Sequence, residues 1–183
     1  GAEQHGNLSS VGFDLFTQML GEAVAEARGE TAELEVPEVT INLAADVYLA
    51  EEYIPEVDQR VLCYRRLAAA TELSDVDALE HETEERFGGL PLAGHNLFDR
   101  ARIRIRGQRL GCTSVSLTNG RIIFMGVDVP RQVALKLKSR GALNYPKSHK
   151  LAYPFHKGDE QVMHAALDVL EEIGGGDEGA DES

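Results

Sequence analysis

The stretch that decides the fold is CTSVSLTNGRIIFMGV, residues 112–127, in which two β-rich runs flank Asn119-Gly120. An Asn-Gly pair suits the centre of a tight turn because both central positions require positive φ. This segment is the clearest local signal in the sequence, and it predicts a β-hairpin. Scaffolding is the default role for such a hairpin.

Just before the hairpin, RARIRIRGQRLG, residues 100–111, places five arginines in twelve residues. The arginines alternate with apolar residues, which is the period of a half-buried strand. Leu97, Ala101 and Ile105 also step by four, which is the period of one helical stripe. A basic strand could lie against nucleic acid, whereas a net charge of −13 and a pI near 4.8 argue against phosphate binding by the whole surface.

The other segments combine helical and strand patterns in an irregular order. Apolar spacing, caps and breakers predict the helices, with Ser9 or Ser10 and Ser74 as N-caps and Gly29 ending the first helix. The predicted helices lie in 9–29, 55–70, 74–87, 130–141 and 158–173, with strands near 39–43 and near 143–145 or 150–153. This order predicts an α+β fold: an N-terminal helical appendage, then a compact helix-rich domain with the hairpin and a small sheet.

Length and composition indicate one domain with appendages. We expect a helical segment in 1–36, a compact α+β domain in 37–173, and a disordered acidic tail in 174–183, which is glycine and acid without an apolar anchor. The start at Gly1, directly before a helix signal, suggests a piece of a longer protein. No apolar run reaches the roughly 20 residues that cross a bilayer, so no membrane partner is expected. Two cysteines without ligand or redox spacing indicate a reduced, cytoplasmic setting.

Motifs for catalysis or metal binding are missing from the sequence. No glycine-rich phosphate loop opens a helix, no nucleophile elbow occurs, and the six histidines form no HExxH pattern. We therefore expect no enzyme activity, no metal and no cofactor in this chain. EHETEERFGGLP, residues 80–91, stands out instead, because a narrow apolar stripe of Val76, Leu79 and Phe87 leaves most of its helix exposed. A solvated helix is the simple explanation from spacing alone.

Three blocks of the sequence resemble the bacterial transcription-repair coupling factor family. GAEQHGNLSSVGFDLFTQMLGEAV resembles the run that follows the family's helicase motor. YIPEVDQRVLCYRRLAAA resembles the pattern I-P-D-V-x-x-R-L-x-x-Y-K-R-I-A-x-A, and HETEERFGGLP resembles E-L-I-D-R-F-G-x-L-P. The blocks occur in the family's order across residues 1 to about 110, and similarity beyond the hairpin is loose.

The resemblance implies a non-catalytic C-terminal regulatory domain. In this family the domain clamps the N-terminal UvrB-like module and hides its UvrA-binding surface. The full-length protein is an ATP- and Mg-dependent DNA translocase that removes stalled RNA polymerase and recruits excision repair. The interdomain contact would map here onto Glu82, Glu85 and Arg86.

The resemblance also places a helix at residues 100–111, because the family has one between R-F-G-x-L-P and the hairpin. On a helix, Arg102, Arg106 and Arg109 share one side, and we expect their partners to be acids of the chain or of a neighbouring domain. The alternative function is a nucleic-acid-binding accessory domain that uses this arginine-rich helix, 100–109, as a secondary basic surface.

Overall fold

A mixed sheet and five helices form the described residues, 38–156 and 161–175, of this computed structural model. This arrangement confirms the predicted α+β class, while the helix predicted within 9–29 lies outside the described residues. The elements are β1 (Thr40–Asn42), α1 (Val57–Ala69), α2 (Leu73–Phe87), α3 (Leu92–Arg109), β2 (Ser114–Thr118), β3 (Arg121–Met125), α4 (Arg131–Ser139), β4 (Leu143–Tyr145), a 3-10 turn (Pro146–Ser148), β5 (Lys150–Pro154) and α5 (Val162–Gly175).

The predicted hairpin is confirmed as β2 and β3. Asn119 and Gly120 have φ values of 50° and 69°, so both central turn residues are left-handed, as the Asn-Gly pair predicted. The strands pair in antiparallel register with Val115 opposite Phe124. Both of these side chains are fully buried, so one face of the hairpin contributes directly to a core.

The sheet has the strand order β1-β2-β3-β5-β4. β1 pairs with β2 in parallel, with Ile41 opposite Val115, and all the other pairs are antiparallel. The sequence left open whether residues 143–145 or 150–153 form a strand. Both segments do, and they pair with each other as β4 and β5.

Contacts within the chain define two compact units. One contains Ala45–Arg102, with α1, α2 and the first part of α3, and its buried side chains include Leu67, Val76 and Phe98. The other contains the described residues 38–44, 103–156 and 161–175, which form the end of α3, the sheet, α4 and α5. Each unit buries its own apolar side chains.

The arginine-rich segment is the end of an 18-residue helix, α3, as the family resemblance implied. Leu97 and Ala101 are fully buried, and so are Ile103 and Ile105, which the strand pattern would have placed on one face of a sheet. Helical spacing keeps Ile105 on the Leu97 stripe and puts Ile103 on a different side of the helix. The helix is therefore packed on more than one side, which explains why both periods are visible in its sequence.

Two predicted helix boundaries differ from the structure. Ser74 was predicted as the N-cap of α2, which is wrong: the cap is Glu72, and the carboxylate of Asp75 accepts the Glu72 backbone N–H in a reciprocal capping box. The last helix continues to Gly175, two residues past the predicted end at Ile173, and Gly158 lies outside the described residues.

Candidate protein-interaction site on helices α1 and α2

A shallow groove between α1 and α2 is lined by Glu82 and Arg86, two of the three predicted contact residues, whereas Glu85 lies outside its lining. Its cavity volume is about 40 Å³, too small for an organic ligand, since such pockets usually enclose about 300–1,000 Å³. Its lining combines polar and charged side chains with apolar ones. The lining consists of Ile54, Gln59, Leu62, Cys63, Arg66, Leu79, Glu82, Thr83, Arg86 and Phe87.

Glu82 forms a two-point ion pair with Arg66 across the groove. The Arg66 guanidinium donates to both carboxylate oxygens, at 2.9 and 2.8 Å. These hydrogen bonds lower the pKa of Glu82 and raise that of Arg66. Both side chains remain exposed, at 57% and 43%, so the pair is open to water and to a partner.

Arg86 lies one turn further along α2. Its guanidinium donates to the Gln59 side-chain oxygen at 3.1 Å and lies 5.1 Å from the centre of the Phe87 ring. The ring contact is a cation–π interaction, and Arg86 nevertheless stays exposed. A cation is therefore held on an apolar surface in a defined position.

Glu85 is more exposed than Glu82. Its carboxylate lies 3.3 Å from the Nε2 of His81, one turn earlier on the same helix, and the two side chains are 69% and 76% exposed. An exposed pair of this kind contributes little to folding. The side chain can therefore exchange its helix neighbour for a partner with little loss of stability.

Tyr53 anchors the C-terminal end of α2. Its hydroxyl donates to the Gly88 carbonyl oxygen at 2.6 Å, and its ring meets that of Phe87 edge-on at 6.1 Å. Burial, and then the nearby Glu84 carboxylate, raise the pKa of the phenol, so it remains a donor. The Glu84 carboxylate also accepts the Leu90 backbone N–H at 3.1 Å. These hydrogen bonds fix the turn that follows α2 and therefore hold the C-terminal end of the helix, which carries Arg86, in place.

Cys63 and Thr83 form the buried base of the groove. Burial raises the pKa of the Cys63 thiol to about 11, although a hydrogen bond with Thr83 opposes the shift. The Thr83 hydroxyl itself donates to the Leu79 carbonyl oxygen at 2.6 Å. A neutral, buried thiol is a poor nucleophile at physiological pH.

Residues 38–156 and 161–175 contain no cluster of metal ligands and no membrane-spanning helix. No group of three His, Cys, Asp or Glu side chains in these ranges could hold a metal ion. In the same ranges, no helix is long and apolar enough to cross a membrane.

Arg102, part of the predicted secondary basic surface, is occupied within its own unit. It donates to Asp77 at 2.8 and 3.1 Å, to Asp99 at 3.2 Å and also to Glu80. Burial lowers the Arg102 pKa, but these hydrogen bonds outweigh it and the net shift is upward. The side chain is only 14% exposed, so Arg102 is an internal tie between α2 and α3.

The other arginines of α3 are similarly engaged or covered. Arg106 pairs with Glu171 of α5 at 3.0 Å, while Arg109 is exposed. Burial lowers the pKa of both Arg100 and Arg104. The arginine helix therefore does not present a continuous row of exposed cations, and its main partners are acids of the chain itself, as expected.

The sequence identified Glu82, Glu85 and Arg86 but missed the α1 half of the groove. Arg66 and Gln59 are 16 and 27 residues away from their partners Glu82 and Arg86. Pairs so distant in sequence lie outside the local helical periodicities that sequence patterns report. The sequence shows that α1 and α2 carry complementary charges, but this does not indicate which residue of α1 pairs with which residue of α2.

Comparison with known proteins shows the family of the chain. Residues 43–134 match the TRCF domain family, and this range includes Glu82, Glu85 and Arg86. The transcription-repair-coupling factor of Bacillus subtilis (strain 168) is 38% identical over 105 residues, covering 57% of this chain and 9% of that protein. That of Staphylococcus aureus (strain USA300) is 35% identical over 130 residues, covering 70% of this chain and 11% of that protein.

A solved structure supports the fold. The crystal structure of the C-terminal domain of a transcription-repair coupling factor superposes with a TM-score of 0.65 at 16% identity, covering 79% of this chain and 97% of that one. The present chain spans only about a tenth of the length of the curated relatives. Since the family match extends over half of the chain, and the sequence blocks had indicated the same family, the chain belongs to the TRCF domain family.

Proposed function

We propose that the α1–α2 groove is the contact through which this domain holds the UvrB-like module of a longer transcription-repair coupling factor. The domain has no catalytic activity, and its binding covers the module's surface for UvrA. The longer protein acts as an ATP- and Mg-dependent DNA translocase that removes stalled RNA polymerase and recruits repair. Glu82, Glu85 and Arg86 form the contact.

The observation that carries this proposal is the exposure of charges of both signs on one face of α2. Glu82 and Glu85 are 57% and 69% exposed, and Arg86 is exposed beside them, within the range that matches the family. Mixed charges favour a protein surface over a polyanion, which would be repelled by the two carboxylates.

The geometry also supports a reversible contact. Arg66 uses one site on each Glu82 oxygen, and a carboxylate has about four acceptor sites, so Glu82 can bind a second cation without losing the first. Exposed ion pairs contribute about 0.2–1 kcal/mol each, so several of them form a contact that a conformational change in the longer protein can release.

The test is a titration of this chain with the purified UvrB-like module, with duplex DNA as a parallel ligand. Glu85→Arg turns an attraction into a repulsion of similar size, so we expect roughly tenfold weaker binding. Arg86→Glu should act in the same direction. Glu51→Arg, a charge reversal at an exposed loop residue outside the groove, is the matched control and should bind normally.

Circular dichroism of each variant establishes that it is folded. Binding to the module that is unaffected by Glu85→Arg and Arg86→Glu would contradict the proposed contact. Binding to DNA alone would favour the alternative function, a nucleic-acid-binding accessory domain.

A further inference from the structure

The two faces of the five-stranded sheet differ in burial. Val115, Phe124 and Leu151 lie in one row across β2, β3 and β5, and all three side chains are fully buried. α5 lies on this face, because its Ala165 lines a cavity together with Tyr153 of β5, two residues from Leu151. Side chains paired across strands share a face and adjacent residues alternate, so the intervening residues point to the opposite face.

The opposite face consists of three rows of strand residues. The register places Thr40, Ser114, Met125, Lys150 and Tyr145 in one row, Asn42, Ser116, Ile123, Ala152 and Leu143 in the next, and Thr118, Arg121 and Pro154 in the third. The part on β1 and β2 carries hydroxyl and amide side chains, as expected of a sheet face in water. The part on β3, β5 and β4 is largely apolar, and none of the three rows contains Asp or Glu.

The apolar part of this face forms a groove along β5. Ala152 is small and 4% exposed, and it is the only buried residue in the three rows, whereas its neighbours Ile123 and Leu143 are larger and reach further out. Met125 and Tyr145 continue the two sides, and Leu143 and Tyr145 are 45% and 44% exposed. β3 and β4 lie two strand spacings apart, about 10 Å, so one ridge of apolar side chains from a helix can lie between them.

A cation lies at each end of the β5 groove. At one end, the Lys150 ammonium is 5.3 Å from the centre of the Tyr145 ring. At the other end, Arg121 is paired with Pro154, and its guanidinium donates to the Gly141 carbonyl oxygen at 3.0 Å. These partners, among the described residues, are a ring and a backbone oxygen and not carboxylates. Lys150 and Pro154 are four residues apart on β5, so the two ends are separated by about 13 Å.

From this arrangement we infer that the β5 groove docks an amphipathic helix of a partner protein, with an acidic residue near each end of its apolar stripe. The apolar side chains of the helix cover Ile123, Ala152 and Leu143. Its carboxylates pair with Lys150 and Arg121, and this complementarity sets its position along the groove. The helix adds a further layer to the sheet, on the face opposite α5.

Two other occupants fit the β5 groove less well. A nucleic-acid strand would neutralise the two cations but leave the apolar side chains in water, and single-strand binding uses successive stacking rings, whereas Tyr145 is the only aromatic residue in the three rows. A second copy of the chain, docked through the same face, would bring Lys150 and Arg121 against a face without Asp or Glu.

The experiment measures fluorescence anisotropy of a labelled helical peptide, titrated with the full chain at low and high salt. In this Glu-Leu peptide, two glutamates about eleven positions apart lie on one side of the helix, with leucines between them on the same side. One control peptide replaces the leucines by alanine, which keeps the helix and its charge, and another replaces the glutamates by lysine. Labelled single-stranded and duplex DNA are the remaining probes. No residue of the β5 groove lines the α1–α2 groove, so this test is independent of the proposed function.

We expect the Glu-Leu peptide to bind, and both control peptides to bind at least about tenfold more weakly. Ala152→Leu, which fills the floor of the groove, and Leu143→Ala, which removes part of one side, should each weaken binding at both salt concentrations. Lys150→Glu should weaken binding of the Glu-Leu peptide, mainly at low salt, and strengthen binding of the lysine peptide. Lys138→Glu and Leu135→Ser change exposed residues of α4, outside the three rows, and should bind normally.

Thermal unfolding of every variant checks that the fold is intact. The proposed docking is overturned if the Glu-Leu peptide does not bind at low salt, if the alanine peptide binds equally well, or if the α4 variants lose binding as strongly as the groove variants. DNA binding that Lys150→Glu removes, without peptide binding, would overturn it in favour of a nucleic-acid surface. Self-association that Ala152→Leu removes, again without peptide binding, would overturn it in favour of a second copy of the chain.

Discussion

Removing the Arg102 side chain should destabilise the protein strongly, even though Arg102 belongs to a highly charged segment. Its guanidinium meets Glu80, Asp99 and Asp77, whose side chains are 19%, 15% and 64% exposed. In Arg102→Ala, two carboxylates that are largely withdrawn from water lose their cation and face each other's charge. Loss of an ion pair under such conditions is far more costly than at the surface.

The magnitude follows from those exposures. Hydrogen bonds to charged groups contribute about 1.5–3 kcal/mol each, and we take the lower end for Glu80 and Asp99, since neither is fully buried. The exposed Asp77 adds less than about 1 kcal/mol. We therefore expect a loss of about 3 kcal/mol in the free energy of unfolding, or a Tm lower by about 6–12 °C in a chain of this size.

Urea unfolding followed by circular dichroism measures this loss. Arg102→Lys keeps the positive charge but lacks the planar guanidinium group that binds several carboxylates at once. This variant should lose about half as much free energy of unfolding as Arg102→Ala. Arg65→Ala, at an exposed position on α1, is the control and should change the free energy by less than about 0.5 kcal/mol. A loss below about 1 kcal/mol for Arg102→Ala would refute the reasoning, because the cluster would then behave as a set of surface pairs.

Three further predictions concern the loops and the titratable groups. Gly126→Ala should cost more than about 2 kcal/mol in thermal unfolding, because φ is +82° and a Cβ would lie 2.6 Å from a backbone carbonyl oxygen. The thiols of Cys63 and Cys112 have pKa values raised to about 11 by burial, so a thiol reagent at about pH 8 should react only after unfolding. Burial raises the Glu172 pKa, but the hydrogen bonds and charges of Arg140 and Lys136 together outweigh it, and the net pKa lies below 4.5. The resulting stability is present above that value and lost as pH falls through the lower folded pKa, so Glu172→Gln should flatten the acid side of a stability–pH curve measured by urea unfolding.

Local sequence patterns were sufficient to predict most helices and strands, but not which of them pack or pair with each other. The hairpin could be predicted because Asn119-Gly120 fixes its own turn, whatever surrounds it. The cap of α2 was mistaken because Ser74 is the stronger N-cap by type, whereas Glu72 gains a reciprocal bond with Asp75.

Long-range pairing explains what the sequence left open. The parallel pairing of β1 with β2, the Arg66–Glu82 pair and the three acids around Arg102 join residues that local periodicity does not connect. The groove on α1 and α2 was therefore visible in the sequence only through its α2 residues.

The parallel β1–β2 pair constrains the order in which the molecule can fold. Ile41 and Val115 are partners, and nearly all of the helical unit, Ala45–Arg102, lies between them in sequence. Closing a flexible loop of that length costs about 4 kcal/mol of chain entropy, whereas contacts inside α1 and α2 close much shorter loops. Helices therefore gain their contacts first, and once they form they shorten the span that β1 must cross. During synthesis β1 can pair only after the ribosome has released β2, residues 114–118, and the five-stranded sheet is complete only after residues 143–154 have followed.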